Sequence, residues 1–423
     1  MSLQFITGNS GNGKTKYLFN RIVKEAKANP RDNYLVIVPE QFTMQTQRQL
    51  VDLSENKAIM NIDVLSFKRL AYRVFDELGI TNLTVLEETG KNLVLRKLAA
   101  QEADKLGVIG RNLNRIGYIS EVKSLLSELV QYNISPEELG RYIASGRLSD
   151  TLSDKLKDVL VLYEAFEKFM QDKYITAEEI LNVLSNVAEE SAILRNSVIA
   201  FDEFTGFTPI QNQLIKKLFV ISKKIYVTLT IDCREDIFKS RGMQELFDMP
   251  KRTVKSLTEM AAFYGIEVEE PIILDKNYRL AENEELSFME QQLFRKRRCS
   301  FKKAPKHIHI DCLRDPKQEL TKIARRINEL VRNENLRYRD IAIVTGDVNI
   351  YAGYVREIFD KYNIPYFIDA TQEILFHPFI EFIRSIPDIA AQNFSADAVF
   401  RFLRCGFSEL LDSEIDVLEN YVL

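Results

Sequence analysis

One stretch decides the fold: Leu3-Gln4-Phe5-Ile6-Thr7-Gly8-Asn9-Ser10-Gly11-Asn12-Gly13-Lys14-Thr15. Residues 3–7 form an apolar run that is typical of a buried strand, and residues 8–15 match the pattern G-x-x-x-x-G-K-[ST]. Apolar residues then recur at helical spacing. Glycines permit positive φ, so successive backbone N–H groups can turn around phosphate oxygens beside the positive end of a helix. The stretch therefore predicts a phosphate-binding loop between a strand and a helix.

The predicted phosphate loop indicates a nucleotide, with ATP and Mg²⁺ as the cofactors. In this pattern Lys14 holds the β- and γ-phosphates, and Thr15 binds Mg²⁺. The predicted nucleotide-binding residues are Gly8, Ser10, Gly11, Asn12, Gly13, Lys14 and Thr15. The alternative is a glycine-rich turn that matches the pattern by chance, and the flanking strand and helix patterns argue against it.

An acidic pair, Asp202-Glu203, follows the apolar segment 198–201. A parallel strand that ends in a carboxylate places that group at the carboxyl edge of the sheet, where bound nucleotides lie. We expect Asp202 to bind Mg²⁺ through water and Glu203 to orient or deprotonate an attacking water. The alternative is an exposed acidic pair that opens a turn. Lys14 and Asp202 are 188 positions apart, a long separation that favours a helicase-like core over a compact kinase.

The patterns along the chain predict an α/β fold. Segments rich in β-branched and aromatic residues alternate with helical stretches, which is typical of parallel α/β layers. The predicted strands are residues 3–7, 34–38, 62–67, 198–201, 225–230, 308–312, 341–345 and 366–369. Helices are predicted near 318–331 and 351–362. Between about residues 85 and 190 the apolar residues keep helical spacing, which predicts an all-helical insertion.

The same patterns divide the 423 residues into domains. The basic run Arg295-Lys296-Arg297-Arg298 predicts a linker between two α/β regions. The predicted parts are a first α/β domain at 1–85 and 191–295, a helical insertion at 86–190, a partial second α/β domain at 300–372 and a helical segment at 373–423 that we expect to be truncated.

Composition excludes several classes of protein. The hydrophobic fraction is 46% and the charged fraction 28%, far from the composition of disordered chains. The formal net charge is −4, so any nucleic-acid contact has to come from local patches. The four cysteines show neither zinc spacing nor a disulfide framework. The sequence has no apolar run of about 18 residues, the length that a membrane-spanning helix needs, so no membrane span is predicted. A reducing cytoplasm, without membrane contact, is the simplest interpretation.

Six motifs along the chain are specific when taken together. They are residues 5–15 (FITGNSGNGKT), 38–43 (VPEQFT), 65–74 (LSFKRLAYRV), 201–209 (FDEFTGFTP), 276–279 (KNYR) and 364–369 (IPYFID). In these motifs the chain resembles the AddB family, the second subunit of bacterial AddAB ATP-dependent helicase–nucleases. That family is distantly similar to UvrD-type superfamily 1 helicases. The resemblance covers nearly the whole chain.

The resemblance implies a P-loop, RecA-like parallel sheet of the superfamily 1 helicase type, followed by part of a second RecA-like domain. It implies an AddA-like helicase–nuclease partner in a heterodimer, repair of double-strand breaks and recombination, and recognition of the Chi sequence in single-stranded DNA. In that family this subunit is not the principal motor. The resemblance places the nuclease centre and the cysteines of an iron–sulfur cluster in a C-terminal region outside this sequence.

The resemblance also bears on catalysis. Arg279 resembles the arginine that reaches the γ-phosphate from the edge of a neighbouring domain, so it joins Asp202 and Glu203 as a predicted catalytic residue. The segment 226–232 lacks the Gly-Asp-x-x-Gln motif that couples hydrolysis to stepping, and no glutamine-containing adenine motif precedes Gly8. Nucleotide binding is therefore expected more than unwinding.

The candidate contacts to single-stranded DNA come from the same resemblance. Single strands are bound by aromatic faces, amides and cations, and the candidates follow the carboxyl ends of predicted strands. They are Gln41, Thr43, Gln45, Phe67, Arg69, Tyr72 and Phe207. Without the resemblance, Phe67 and Tyr72 indicate core or helix-start packing, and the Gln and Thr residues are simply exposed.

Two other functions stay open on the sequence. A stand-alone P-loop kinase or NTPase could act on a small molecule with the helices as a lid, although such chemistry does not need the second α/β region. The other open function is a scaffold whose phosphate loop is a relic. Failure to bind ATP–Mg²⁺ would favour this scaffold function.

Overall fold

The computed structural model describes residues 1–81, 84–108, 116–146, 148–171, 174–295, 299–369 and 374–422. The chain divides into two compact units, Met1–Ile308 and His309–Leu423, and each is described by itself. Residues 296–298 of the predicted linker lie outside the described part. Within it, no helix combines the length and the apolar composition that crossing a membrane requires.

A parallel sheet organises the first unit. The strands of the chain are β1 (Ser2–Gly8), β2 (Tyr34–Ile37), β3 (Ile62–Leu65), β4 (Val85–Leu86), β5 (Ile175–Thr176), β6 (Val198–Phe201), β7 (Lys224–Thr230), β8 (Glu267–Val268) and β9 (Ile272–Leu274). The main sheet has the order β3-β2-β6-β7-β1-β8, and β9 also pairs with β1. Every pairing is parallel. The five strands predicted in this part of the sequence are confirmed.

The strand register brings the carboxyl ends of the sheet together at one edge. Ile37 at the end of β2 is opposite both Leu65 of β3 and Phe201 of β6, and Gly8 at the end of β1 is opposite Thr230 of β7. Strand β7 separates β1 from β6. The loops that follow these strands therefore share one edge, where α/β sheets bind ligands.

Eleven helices accompany the strands of the first unit in its described residues. They are α1 (Lys14–Ala28), α2 (Thr43–Leu53), α3 (Phe67–Leu78), α4 (Glu88–Gln101), α5 (Ile116–Gln131), α6 (Pro136–Ala144), α7 (Asp150–Met170), α8 (Ile180–Val187), α9 (Pro209–Ile221), α10 (Asp248–Phe263) and α11 (Glu284–Gln292). The prediction that strand β3 extends to residue 67 is wrong, because the Ser66 hydroxyl accepts a hydrogen bond from the Arg69 backbone N–H and caps α3.

Apolar layers cover both faces of the sheet, which is why its strands read as continuous hydrophobic runs. One layer joins the sheet to α1 and α2 through residues such as Leu18 and Leu50. The other joins it to α3, α8, α9 and α10 through residues such as Leu70, Leu184 and Leu214. Helix α8 therefore packs on the main core, although its residues fall within the predicted insertion.

Helices α4, α5, α6 and α7 share a separate apolar cluster, with Leu95, Leu126, Leu139 and Leu162 buried in it. The prediction of an all-helical segment here is wrong at β4 and β5, which form a parallel ladder of two residues each. The ladder is too short to produce a strand pattern in the sequence.

The second unit contains α12 (Pro316–Asn333), α13 (Val348–Lys361), α14 (Pro378–Ala391), α15 (Ala396–Leu403) and α16 (Asp412–Val422). The helices predicted near 318–331 and 351–362 are confirmed, and they share an apolar cluster.

The strands predicted at 308–312, 341–345 and 366–369 are wrong, since none of these segments is hydrogen-bonded in a ladder. Their apolar residues Ile310, Val344 and Phe367 are 94%, 93% and 88% exposed. An alternating pattern forms a strand only when a neighbouring strand supplies hydrogen bonds and one face is buried.

Candidate functional site

The phosphate loop adopts the backbone that its glycines permit. Gly11 has φ 88° and Gly13 has φ 78°, both in the left-handed region. Gly13 is the N-cap of α1 and no side chain caps that helix, so the first N–H groups of α1 stay available for an anion. The loop thus presents the backbone donors that the sequence predicts.

Close packing explains the glycines at positions 8 and 11. A Cβ at Gly8 would lie 2.5 Å from the Leu274 carbonyl oxygen, and a Cβ at Gly11 would lie 2.8 Å from both Arg279 Cβ and Asn277 Oδ1. The side chain of Asn12 is buried and donates to the same Leu274 carbonyl. The loop is therefore held on one side by the segment that follows β9.

The ammonium of Lys14 is hydrogen-bonded to the backbone of the phosphate loop. It donates to the Gly8 carbonyl at 3.1 Å and to the Asn9 carbonyl at 3.0 Å. Burial lowers the pKa of Lys14, while the carboxylates of Glu203 and Asp202 favour its charged form. The ammonium is thus positioned at the loop, with backbone carbonyls as its present partners.

Thr15 meets the acidic pair at the end of β6. Its hydroxyl lies 3.3 Å from Asp202 Oδ1 and 3.3 Å from Glu203 Oε1. Asp202 is 1% exposed and its Oδ1 also accepts from the Thr228 hydroxyl. Burial raises the pKa of Asp202 against these hydrogen bonds, and the Glu203 charge raises it further. The two parts of the predicted site, far apart in sequence, are in contact.

Glu203 has a left-handed backbone with φ 63°. This conformation is uncommon for a residue with a Cβ, and such strain concentrates at functional sites. Glu203 is exposed, unlike Asp202 beside it. The alternative interpretation of an exposed acidic pair therefore fits Glu203 and does not fit Asp202.

The donors at this site fit Mg²⁺. Asp202 Oδ2 is buried and has no hydrogen-bond partner, so it can accept from metal-bound water, and the Thr15 hydroxyl is a hard oxygen ligand beside it. Mg²⁺ typically uses few protein ligands and keeps several waters. Consistent with this, the described residues contain no group of three or more His, Cys, Asp or Glu side chains placed to hold a metal. Thr15 and Asp202 are the residues that would hold the ion.

A cleft of about 820 Å³ opens beside the loop. Its lining includes Lys14, Thr15 and Asp202 on one side and Tyr278 and Arg279 on the other. Pockets for small ligands typically have about 300–1,000 Å³, so a nucleoside triphosphate is of a suitable size. Of the predicted nucleotide-binding and catalytic residues, the cleft is lined by Ser10, Gly11, Gly13, Lys14, Thr15, Asp202, Glu203 and Arg279. Gly8 and Asn12 are not part of its lining, and the Asn12 side chain is buried against Leu274.

The segment Asn277–Arg279 contacts the loop directly. The Tyr278 backbone N–H donates to the Gly11 carbonyl at 3.0 Å, and Asn277 Nδ2 donates to the Ser10 carbonyl at 3.0 Å. Arg279 donates to the Ser10 hydroxyl at 3.3 Å. Arg279 is exposed and lines the cleft.

Three of the predicted DNA contacts are packed inside the first unit. Phe67 is 7% exposed, and its ring lies between 5.6 and 6.3 Å from those of Phe201, Phe204 and Phe207. Phe207 is half-buried in the same cluster. Thr43 is 3% exposed and its hydroxyl donates to the Glu40 carbonyl. The burial of Phe67 agrees with the packing interpretation and leaves no free face for a base on its ring. The burial of Thr43 shows that the alternative expectation of a simply exposed threonine is wrong.

The other predicted DNA contacts are accessible. Gln41, Gln45 and Arg69 are exposed, and Tyr72 is 38% exposed. Arg69 Nε donates to Glu40 Oε1 at 3.1 Å, while its side chain remains 53% exposed. Gln45 also lines the nucleotide cleft.

Sequence reasoning missed two features of the site. Thr228 supports Asp202 from the neighbouring strand, and its signal was a hydroxyl residue in a buried apolar run. Asn9 is the one residue of the loop 8–15 for which no role was predicted. Its side chain links the loop to Cys233 and Glu290.

Comparisons with known proteins come out consistently. The family model described as ADDB, N-terminal, matches residues 5–290. The whole chain is similar to proteins named as the B-type subunit of an ATP-dependent helicase/deoxyribonuclease, with 39% identity to that of Lachnoclostridium phytofermentans, 34% to that of Clostridium tetani and 34% to that of Clostridium acetobutylicum. Each match covers 100% of this chain and 37%, 37% and 36% of those relatives. The chain thus spans a little over a third of their length.

Proposed function

This chain belongs to the AddB family, whose N-terminal part it matches, and on that premise we propose that it binds ATP–Mg²⁺ and single-stranded DNA. In this proposal it is the helicase-like region of a subunit that assembles with an AddA-like helicase–nuclease. The complex processes double-strand breaks for repair and recombination in the cytoplasm. The relatives' name, which describes an ATP-dependent helicase/deoxyribonuclease, supports ATP use and action on DNA.

The contact of Thr15 with Asp202 is the observation that carries the nucleotide proposal. It places a hydroxyl ligand and a carboxylate with a free, buried oxygen beside a loop of backbone donors. Lys14 neutralises the β- and γ-phosphates. Bound Mg²⁺ supplies positive charge that shields the phosphate oxygens and keeps Asp202 ionised.

We assign Glu203 and Arg279 to the reacting end of the nucleotide. The carboxylate of Glu203, held by a strained backbone, orients or deprotonates an attacking water. Arg279 stabilises charge on the terminal phosphate. The segment 226–232 lacks the Gly-Asp-x-x-Gln motif that couples hydrolysis to stepping, and its last residue, Asp232, pairs with Arg234 and Arg295. Binding and regulated hydrolysis are therefore proposed, rather than strong unwinding.

We also propose a division of the chain into domains. We assign residues 1–85 and 191–295 to a first RecA-like domain because its sheet is parallel and its phosphate loop and acidic strand share one edge. Residues 86–190 are the proposed insertion, supported by the separate core of α4 to α7. For 300–372, a partial second RecA-like domain is proposed on the family resemblance and on the packing of α12 against α13, without the three strands predicted there, which the described residues do not form. The segment 373–423 is helical in its described residues.

The proposed single-strand surface follows β2 and β3 at the carboxyl edge. Gln41, Gln45, Arg69 and Tyr72 offer amides, a cation and a partly open ring to a strand. Thr43, Phe67 and Phe207 support this surface from below. Recognition of Chi is proposed for these accessible residues on the strength of the family resemblance.

Isothermal titration calorimetry with ATP–Mg²⁺ tests the nucleotide proposal. Lys14→Ala is expected to weaken binding at least about thirtyfold, because a hydrogen-bonded charge pair is lost. Lys24→Ala is the matched control, since Lys24 is an exposed lysine on the same helix. Binding by Lys14→Ala as tight as by Lys24→Ala, or no binding by the folded wild type, would overturn the proposal and favour a relic loop.

The stand-alone kinase is not favoured. The family match runs through residues 5–290, including the segments after β2 and β3 that a small-molecule kinase does not need. Phosphoryl transfer to a metabolite would restore that alternative.

A further inference from the structure

The side chain of Asn9 connects the phosphate loop to two other parts of the first unit. Its Oδ1 accepts from the Cys233 backbone N–H at 2.9 Å, and its Nδ2 donates to Glu290 Oε1 at 2.7 Å. Asn9 is 5% exposed, so these partners satisfy an amide that water hardly reaches. The residue after the first loop glycine is therefore bonded to the end of β7 and to α11.

Two further bonds hold α11 and its continuation to the end of β7. The Arg234 guanidinium donates to the Gln291 carbonyl at 3.1 Å. Arg295 donates to Asp232 Oδ2, with Nε at 3.0 Å, and Asp232 is 1% exposed. Among the hydrogen bonds that the described residues form with α11, the bond from Asn9 to Glu290 is the one that reaches the phosphate loop.

The free loop has a hydrogen-bond pattern that a nucleotide would change. Lys14 donates to the carbonyls of Gly8 and Asn9. An ammonium has three donors, and turning them to phosphate oxygens weakens its bonds to these carbonyls. The Asn9 carbonyl would then lose part of its bond from Lys14 when phosphate binds, and the side chain of the same residue is bonded to Glu290.

We propose that Glu290 is a positioning residue that couples nucleotide occupancy of the phosphate loop to α11. The inference rests on the proposed ATP binding and deepens it, since it names the element that senses the nucleotide. Its chemistry is a charge-assisted hydrogen bond from a buried amide to a carboxylate, which is stronger than a neutral one.

Amide hydrogen exchange on the whole chain, with and without saturating ATP–Mg²⁺, tests the coupling. Glu290→Ala removes the acceptor, and Glu290→Gln keeps an oxygen acceptor as the conservative rescue. Glu284→Ala is the matched control, because Glu284 is an exposed acidic residue of α11 that pairs with Lys303. In the wild type we expect ATP to change the exchange rates of the α11 amides about tenfold. A change of this size corresponds to the contribution of one hydrogen bond to a charged group.

The variants separate the outcomes. We expect Glu290→Ala to reduce the α11 response below about twofold, with the response retained in Glu290→Gln and Glu284→Ala. A full response in Glu290→Ala, or none in a wild type that binds ATP, would overturn the coupling. Without nucleotide, Glu290→Ala should speed exchange of the loop amides about fivefold and Glu284→Ala should not. If the wild type fails to bind ATP, the proposed function falls, and this last comparison alone decides whether Glu290 positions the loop.

Discussion

Thr15 and Asp202 are 187 positions apart in sequence, yet the Thr15 hydroxyl lies 3.3 Å from Asp202 Oδ1. Parallel pairing of β1 and β6 with β7 places the ends of both strands at the same edge of the sheet. The contact joins a hydroxyl that can bind Mg²⁺ to a carboxylate that is costly to bury. The site therefore combines a local motif with a long-range pairing that only the fold provides.

Asp202→Asn should make the chain more stable and less able to bind ATP–Mg²⁺. Because burial raises the folded-state pKa of Asp202, the stability linked to its protonation is present below the unfolded pKa and is lost as pH rises through the folded value. The Asn side chain stays neutral and does not lose stability in this way. We therefore expect the free energy of unfolding to rise by about 1 kcal/mol near pH 7. Urea unfolding from about pH 4 to about pH 8 measures it. A variant as pH-sensitive as the wild type would contradict this explanation.

Gly11→Ala should destabilise the chain by about 2 kcal/mol more than Gly79→Ala. Both glycines have left-handed backbones, with φ 88° and 68°. The methyl group at position 11 would lie 2.8 Å from Arg279 Cβ, whereas position 79 has no atom within 4 Å. If chemical unfolding shows the same loss of unfolding free energy in both variants, the contact with Arg279 relaxes without an energetic cost.

Asp232→Asn should lower the free energy of unfolding by about 3 kcal/mol, because it removes the buried carboxylate that pairs with the half-buried Arg295. Burial alone would raise the pKa of Asp232, but hydrogen bonds and charges from Arg234 and Arg295 lower it to about 2. With a depressed folded-state pKa, the stabilisation holds above the unfolded pKa and disappears as pH falls through about 2.

Asp236→Asn is the control for Asp232, since Asp236 pairs with Lys239 at the surface. The loss of unfolding free energy in Asp236→Asn should be much smaller than in Asp232→Asn, because an exposed ion pair contributes little to stability. If the two variants lose similar amounts of unfolding free energy, the burial of Asp232 does not make its ion pairs more stabilising than an exposed pair.

Arg69→Ala should weaken binding of a single-stranded oligonucleotide and lower the slope of log affinity against log salt by about 0.7, the value for one lost phosphate contact. Arg195→Ala is the control, because Arg195 precedes β6 at the opposite edge of the sheet. Fluorescence anisotropy across a salt series measures both slopes. An unchanged slope in Arg69→Ala would remove this residue from the proposed surface.

The sequence predicted the first sheet well because its strands are buried on both faces and are therefore apolar throughout. It failed at 341–345 and 366–369 because strand formation depends on a pairing partner, which a local pattern does not reveal. Val344 and Phe367 have strand-forming side chains and remain exposed. For the same reason the two-residue ladder of β4 with β5 was missed.

For the site, the phosphate loop was predictable because its motif is contiguous. For Phe67 the residues alone indicated core packing, which is confirmed, whereas the DNA contact came only from the family resemblance. The aromatic spacing of Phe201, Phe204 and Phe207 is a further signal for the cluster that covers it. The bond from Asn9 to Glu290 joins residues 281 positions apart. Nothing in either local sequence indicates that bond.

A double-mutant cycle on Thr15 and Asp202 tests the central claim most directly. Calorimetry would give the ATP–Mg²⁺ affinities of the wild type, Thr15→Ala, Asp202→Asn and the double variant. If both residues hold one Mg²⁺, the double variant should bind about as weakly as the weaker single variant, with a coupling energy of about 1–3 kcal/mol. Additive losses, or an affinity in either single variant equal to that of the wild type, would contradict a shared metal site.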